Sequence, residues 1–199
     1  MKTILIGLNE LNFDFIRYYT DKGLLNNFKK LFSVQKPIKT TSETEYHLLE
    51  PWIQWVTIYT GKTYSEHQVY RLGDIVQKPN LSQIFEEIEN LGKSIGLVSP
   101  FNAENRLNNP LFFIPDPWTK TNVSGNFLIR KIYQSIHELV NNNAQSKFGF
   151  KSIFFLLIGF LYYVPVSRWG NYVSLIFLIK NPGTKAIILD SLLSDIFLR

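Results

Sequence analysis

The step across residues 81–98 constrains the fold most. Leu81, Ile84, Phe85, Ile88 and Leu91 recur at helical spacing, Gly92 follows, and residues 95–98 form a short apolar run. A stripe of period 3.6 that closes on glycine and leads into such a run predicts a helix feeding a buried strand. The opening of the chain repeats the alternation. Residues 3–8 are apolar and predict a first strand, while residues 13–19 and 24–32 show helix-like spacing broken at Gly23. Leu24, Leu25, Phe28, Leu31 and Phe32 share one side, so these helices are expected to cover a face of the sheet. Residues 53–61 are too apolar for the surface, and Pro51 before them with Gly61 at their end favours a helix over a buried strand. Strands alternating with helices predict an α/β fold, a mostly parallel sheet with right-handed crossovers and flanking helices.

Beyond residue 99 the pattern changes. Residues 100–124 are rich in Asn, Pro and aromatics, including Phe112-Phe113-Ile114-Pro115-Asp116-Pro117-Trp118. Aromatic side chains at that density are costly to leave in water, which predicts an ordered loop. Residues 127–140 predict an amphipathic helix, residues 141–145 a polar break, and residues 152–164 form an almost uncharged stretch. That stretch falls short of the roughly 20 residues a bilayer demands before Pro165, Ser167 and Arg168 interrupt it, so it reads as a buried helix. With residues 173–179, a hydrophobic helical hairpin resting on a membrane is the alternative. The expected organisation is an α/β part over residues 1–120 and a helical region or insertion over residues 121–199. The final Leu-Leu-Ser-Asp-Ile-Phe-Leu-Arg lies in an uncapped, apolar, helix-like run, so a truncated chain is expected.

Composition narrows the functional classes. The chain of 199 residues carries 16 Phe and 10 Tyr, enough apolar surface for a real core. Its formal charge of +5 is scattered, with no basic run longer than two residues, so nucleic acid is not an expected partner. With no cysteine, disulfides, thiol nucleophiles and thiolate metal sites are excluded, and any metal would need oxygen or imidazole ligands. The start lacks the length and cleavage site of a signal peptide. A cytoplasmic location is expected, with peripheral membrane association as the alternative.

Candidate site residues follow from position. Asn9 and Glu10 stand at the carboxyl end of the predicted first strand, where open α/β sheets bind ligands; their other reading is that they cap the next helix. Glu50 stands beside Pro51 at the predicted helix start. The hydroxyls of Thr40, Thr41, Ser42 and Thr44 crowd a polar loop without singling out a nucleophile.

Three stretches taken together resemble the alkaline-phosphatase superfamily, in its type I phosphodiesterase/nucleotide pyrophosphatase branch. Residues 5–14 are similar to that family's opening strand and turn, residues 55–67 to its helix ending in Thr-Gly with a short loop and His, and residues 92–99 to its next helix-to-strand step. Ile114-Pro115-Asp116-Pro117 resembles a later Pro-Asp-Pro element, and the order agrees over residues 1–120. The resemblance implies hydrolysis or transfer at a small-molecule phosphoester, or a related ester, by two divalent ions, Zn²⁺ or similar, held by Asp, Glu and His. It implies Asn9 and Glu10 as metal contacts and Glu50 as a catalytic contact. The chain also departs from that pattern. Asn9 replaces the ligand Asp, Pro51 stands where the nucleophile would fall, and the later Asp-His pair and His have no counterpart. The resemblance therefore implies the N-terminal portion of such an enzyme, weakly active or inactive by itself, with His67 a loop hydrogen-bonder and Thr57 structural. The competing expectation is a non-catalytic module binding an anionic or lipid-linked glycan intermediate at a membrane surface.

Overall fold

The computed structural model describes residues 3–34, 38, 40–141, 149–181 and 183–199. The predicted polar break at residues 142–145 lies outside them. The described residues form a mixed α/β arrangement: helices α1 (Phe13–Asp21), α2 (Asn26–Val34), α3 (Pro51–Thr60), α4 (Tyr64–His67) and α5 (Ile84–Asn90), strands β1 (Gly96–Val98) and β2 (Phe112–Ile114), then helices α6 (Phe127–Asn141), α7 (Phe150–Tyr163), α8 (Trp169–Phe177) and α9 (Thr184–Leu198).

The helix ends follow local chemistry. Asn12 caps α1, its side chain accepting from the N–H groups of Asp14 and Phe15, each at 3.0 Å. Pro51 opens α3, where a missing N–H costs nothing, and Gly61 closes it with φ of 64°, a left-handed conformation that glycine adopts without a Cβ penalty. At α5 the Glu86 carboxylate reaches back to the N–H of Gln83 at 3.2 Å.

β1 and β2 pair in parallel, Gly96 opposite Phe112, Leu97 opposite Phe113 and Val98 opposite Ile114. Because side chains alternate along a strand, the two faces feed different cores. Leu97 and Phe113 join Tyr59, Phe85 and Ala103 under α3 and α5. Val98, Phe112 and Ile114 join the core built by α6, α7, α8 and α9. The result is a small sheet between two helical layers. A third cluster, Val56, Val69, Ile75 and Leu81, sits beneath α3 and is latched from outside by Arg106. That guanidinium pairs with Glu104 and donates to the carbonyls of Ile75 at 3.0 Å and Lys78 at 2.8 Å.

Several expectations are corrected. Residues 3–8 form no strand, and Ile4, Leu5, Ile6 and Leu8 are all exposed. A strand exists only through inter-strand hydrogen bonds, and among the described residues no backbone bond reaches this run. The apolar pattern supplied the side chains but no ladder. The α1 and α2 helices pack on one another, with Leu24 and Leu31 exposed, instead of laying a common face on the sheet. The span 100–124, expected as loop, contains β2, and the parallel connection from β1 to β2 is made without a helix. Helix α7, expected to be buried, buries only Ser152, Gly159 and Tyr163.

Candidate functional site

The predicted site residues fall at the start of α3 and the turn that faces it. Asn9 is exposed, and its Oδ1 accepts the indole N–H of Trp55 on α3 at 3.0 Å. A Cβ built on Gly7 would lie 2.6 Å from the Trp55 ring, so the chain entering this turn runs flat against that indole. Glu10 follows with φ of 52°, an uncommon conformation for a side chain of its size, and is exposed. Glu50 occupies the N-cap of α3, makes no capping hydrogen bond and is exposed. The expected strand end is therefore a turn docked on an indole, and the alternative reading of Asn9 and Glu10 as helix caps is overturned as well, since Asn12 holds that position.

Trp55 ties Asn9 to α3, and Glu50 opens the same helix. Glu50 stands where the backbone N–H groups of a helix start and its dipole favour negative charge. Among the described residues, no three His, Asp or Glu side chains converge as a metal-binding group. The donors present here are two exposed carboxylates and one amide already accepting from Trp55. They do not fit a two-metal centre on their own.

His67 and Thr57 form a pairing that resembles a nucleophile and its base. Thr57 Oγ1 lies 3.1 Å from His67 Nε2, and the ring is 2% exposed. The Val69 N–H donates to Nδ1 at 3.0 Å, so Nδ1 is unprotonated and Nε2 carries the hydrogen toward Thr57. A histidine that donates to the hydroxyl cannot accept its proton. With both ring nitrogens engaged, His67 also has no lone pair for a metal. Burial holds its pKa below the ordinary 6.5, with the nearby carboxylates of Glu43 and Glu66 opposing. The constellation is structural: it ties α3 to α4.

Asp116 is the polar hub that sequence reasoning left as a motif. It is fully buried and accepts four hydrogen bonds: from the N–H groups of Asn102 at 2.9 Å, Trp118 at 2.8 Å and Thr119 at 2.8 Å, and from the Thr119 hydroxyl at 2.7 Å. Asn102 in turn accepts the Gly73 N–H and donates to the Trp52 carbonyl at 2.7 Å. Pro115-Asp116-Pro117 thus clamps the loop after β1 and the start of α3, with all four acceptor positions used. A carboxylate so satisfied serves architecture. The phenol of Tyr59, buried near it, is held well above the ordinary tyrosine range, chiefly by burial.

Two further groupings were missed because no local spacing announces them. A shallow depression of about 350 Å³ is lined by Lys120, Thr121, Asn122, Tyr133, Gln134 and His137, bringing the start of the second half onto α6. Asp195 on α9, 2% exposed, pairs with Arg168 and accepts the Tyr172 hydroxyl at 2.7 Å. Only folding brings residues 168, 172 and 195 together. No family model matches this chain, and neither a curated protein nor a solved structure matches it.

Proposed function

We propose that the chain carries the N-terminal part of an alkaline-phosphatase-type phosphoester hydrolase or transferase whose metal donors are incomplete here, leaving it weakly active or inactive alone. One observation carries the reading. A helix begun at Glu50-Pro51 and closed by Gly61 leads through a short loop to the buried His67, and α5 then feeds a strand of a parallel sheet. That order agrees with the resemblance, and Glu50 stands next to Pro51, the position where the family's nucleophile would fall. The substrate class it supports is a small phosphoester or related ester, with Zn²⁺ or a similar divalent ion and with Asn9 and Glu10 as contacts on the chain's side. A non-catalytic module binding an anionic or lipid-linked glycan intermediate is the second reading, favoured by the apolar outer face of α7 and α8.

The purified chain incubated with bis(p-nitrophenyl) phosphate and Zn²⁺, Mn²⁺ or Mg²⁺ should turn over no faster than a few-fold above the metal alone. In equilibrium dialysis it should bind Zn²⁺ weakly and lose that binding in Glu10→Gln. Robust metal-dependent hydrolysis abolished by Glu10→Gln would show a complete site and sink the partial-apparatus reading. Zn²⁺ binding unchanged in Glu10→Gln would remove Glu10 from the site.

A further inference from the structure

The outer faces of α7 and α8 are apolar where a helix on a protein surface is normally polar. On α7, Phe150, Ile153, Phe154, Leu157 and Leu161 follow i, i+3, i+4, i+7 and i+11, and each is at least half exposed. On α8, Val173, Ile176 and Phe177 repeat the pattern, with Phe177 83% exposed. The inner face of α7 is already committed: Gly159 lies against Ile132 of α6, where a Cβ would come within 2.6 Å of Ile132 Cδ1. A helix apolar on both sides has a second apolar neighbour to satisfy.

Charge identifies that neighbour. From Leu139 to Leu189 the sequence has no Asp or Glu, while it carries Lys147, Lys151, Arg168, Lys180 and Lys185. Arg168 is taken by Asp195, but Lys151 and Lys180 are exposed at the far ends of the pair. An apolar stripe with exposed cations at both ends, and the one carboxylate at its start, Glu138, held by Ser152, complements an anionic lipid surface. Length and angle fix the mode. At 1.5 Å per residue α7 is about 21 Å long and α8 about 13 Å, against a hydrocarbon core of about 30 Å. The two are bent by 113° at the Pro165 break, so they do not add up to a straight span.

We propose that α7 and α8 lie in the plane of an anionic bilayer interface, the stripe sunk to the headgroup–acyl boundary and Lys151 and Lys180 on lipid phosphates. Such binding requires no hydrolysis and stands or falls apart from the reading of the α3 end.

The test is flotation of the full chain with vesicles of phosphatidylcholine and phosphatidylglycerol, against phosphatidylcholine alone, with light scattering of the lipid-free protein. The chain should float with the anionic vesicles and roughly tenfold or more weaker with neutral ones or in 1 M salt. Phe150→Ser combined with Phe177→Ser, at positions 84% and 83% exposed, should lower partitioning by roughly tenfold or more, while Leu24→Ser should leave it unchanged. If circular dichroism shows that pair to be misfolded, Ile153→Ser with Leu157→Ser replaces it. Absence of flotation, or flotation indifferent to both pairs, overturns the proposal. So does a lipid-free dimer that these substitutions dissociate, which would make a second copy the occupant.

Discussion

His67 shows how little a histidine's presence says until both ring nitrogens are assigned. Its neighbours demand the neutral ring: the Val69 N–H needs an acceptor at Nδ1, and burial disfavours charge. Because the folded ring has a pKa below 6.5, its contribution is fully present above about pH 6.5. It is lost as pH falls from there through the folded value, since the unfolded chain takes up the proton first. The unfolding free energy should therefore decline below pH 6.5 with a slope from this residue of at most about 1.4 kcal/mol per pH unit. His67→Gln keeps a donor and an acceptor but cannot titrate. Urea titrations at several pH values between 5 and 7.5 should find the gap between wild type and His67→Gln narrowing as pH falls, and a constant gap would remove the histidine from the pH response. Asp116 makes the complementary point. A carboxylate with four donors around it is indistinguishable in sequence from a ligand, and its role emerges only when residues 102, 118 and 119 are seen to close on it.

At the scale of elements, what was legible was whatever neighbouring residues decide. Helix α3 could be read from Pro51 and Gly61, α5 from the stripe ending at Leu91, β1 from the run after Gly92, and α6 from its amphipathic spacing. What could not be read depended on distant partners. Residues 3–8 have a strand's composition but no ladder, β2 hides in an aromatic tract because its register is set by β1, and the covering of α7 is decided by α6, α8 and α9, which pack on its inner side. The candidate site was legible to the same degree. Glu50 could be placed at a helix start, but the docking of Asn9 on Trp55, a contact across 46 residues, could not. The α6–α7 contact gives the prediction at this scale. Gly159 is there because Ile132 fills the space its side chain would take, so Gly159→Val drives a branched side chain into a packed surface. A loss of about 1–3 kcal/mol is expected, and Gly159→Val paired with Ile132→Ala should recover part of it in urea unfolding monitored by circular dichroism. No recovery would mean that some other contact sets the separation of the helices.

The whole molecule turns on how much depends on two three-residue strands. Phe113 is buried in the core under α3 and α5, Ile114 in the core of α6 to α9, and they are adjacent in the chain. A sequence-based boundary near residue 120 would suggest two units that unfold separately. The sheet argues for coupling: the tie between Asp195, Arg168 and Tyr172 holds α9 to α8, α9 packs on β1, and β1 is hydrogen-bonded to β2. Loss of the helical layer would strip one face of the sheet and expose Ile114, and a two-stranded ribbon with one bare face is marginal in water. Ile114→Ala, at a site 1% exposed, should therefore cost about 2–5 kcal/mol and lower one common transition. The check is urea unfolding read twice, by tryptophan fluorescence and by far-ultraviolet circular dichroism. Trp55 and Trp169 sit in different helical layers, whereas the circular dichroism is dominated by the longer helices of the second half. Superimposed curves shifting together would make the sheet a shared core. If the two curves separate, the helical layer folds independently, and residue 120 is a thermodynamic boundary as well as a change of sequence pattern.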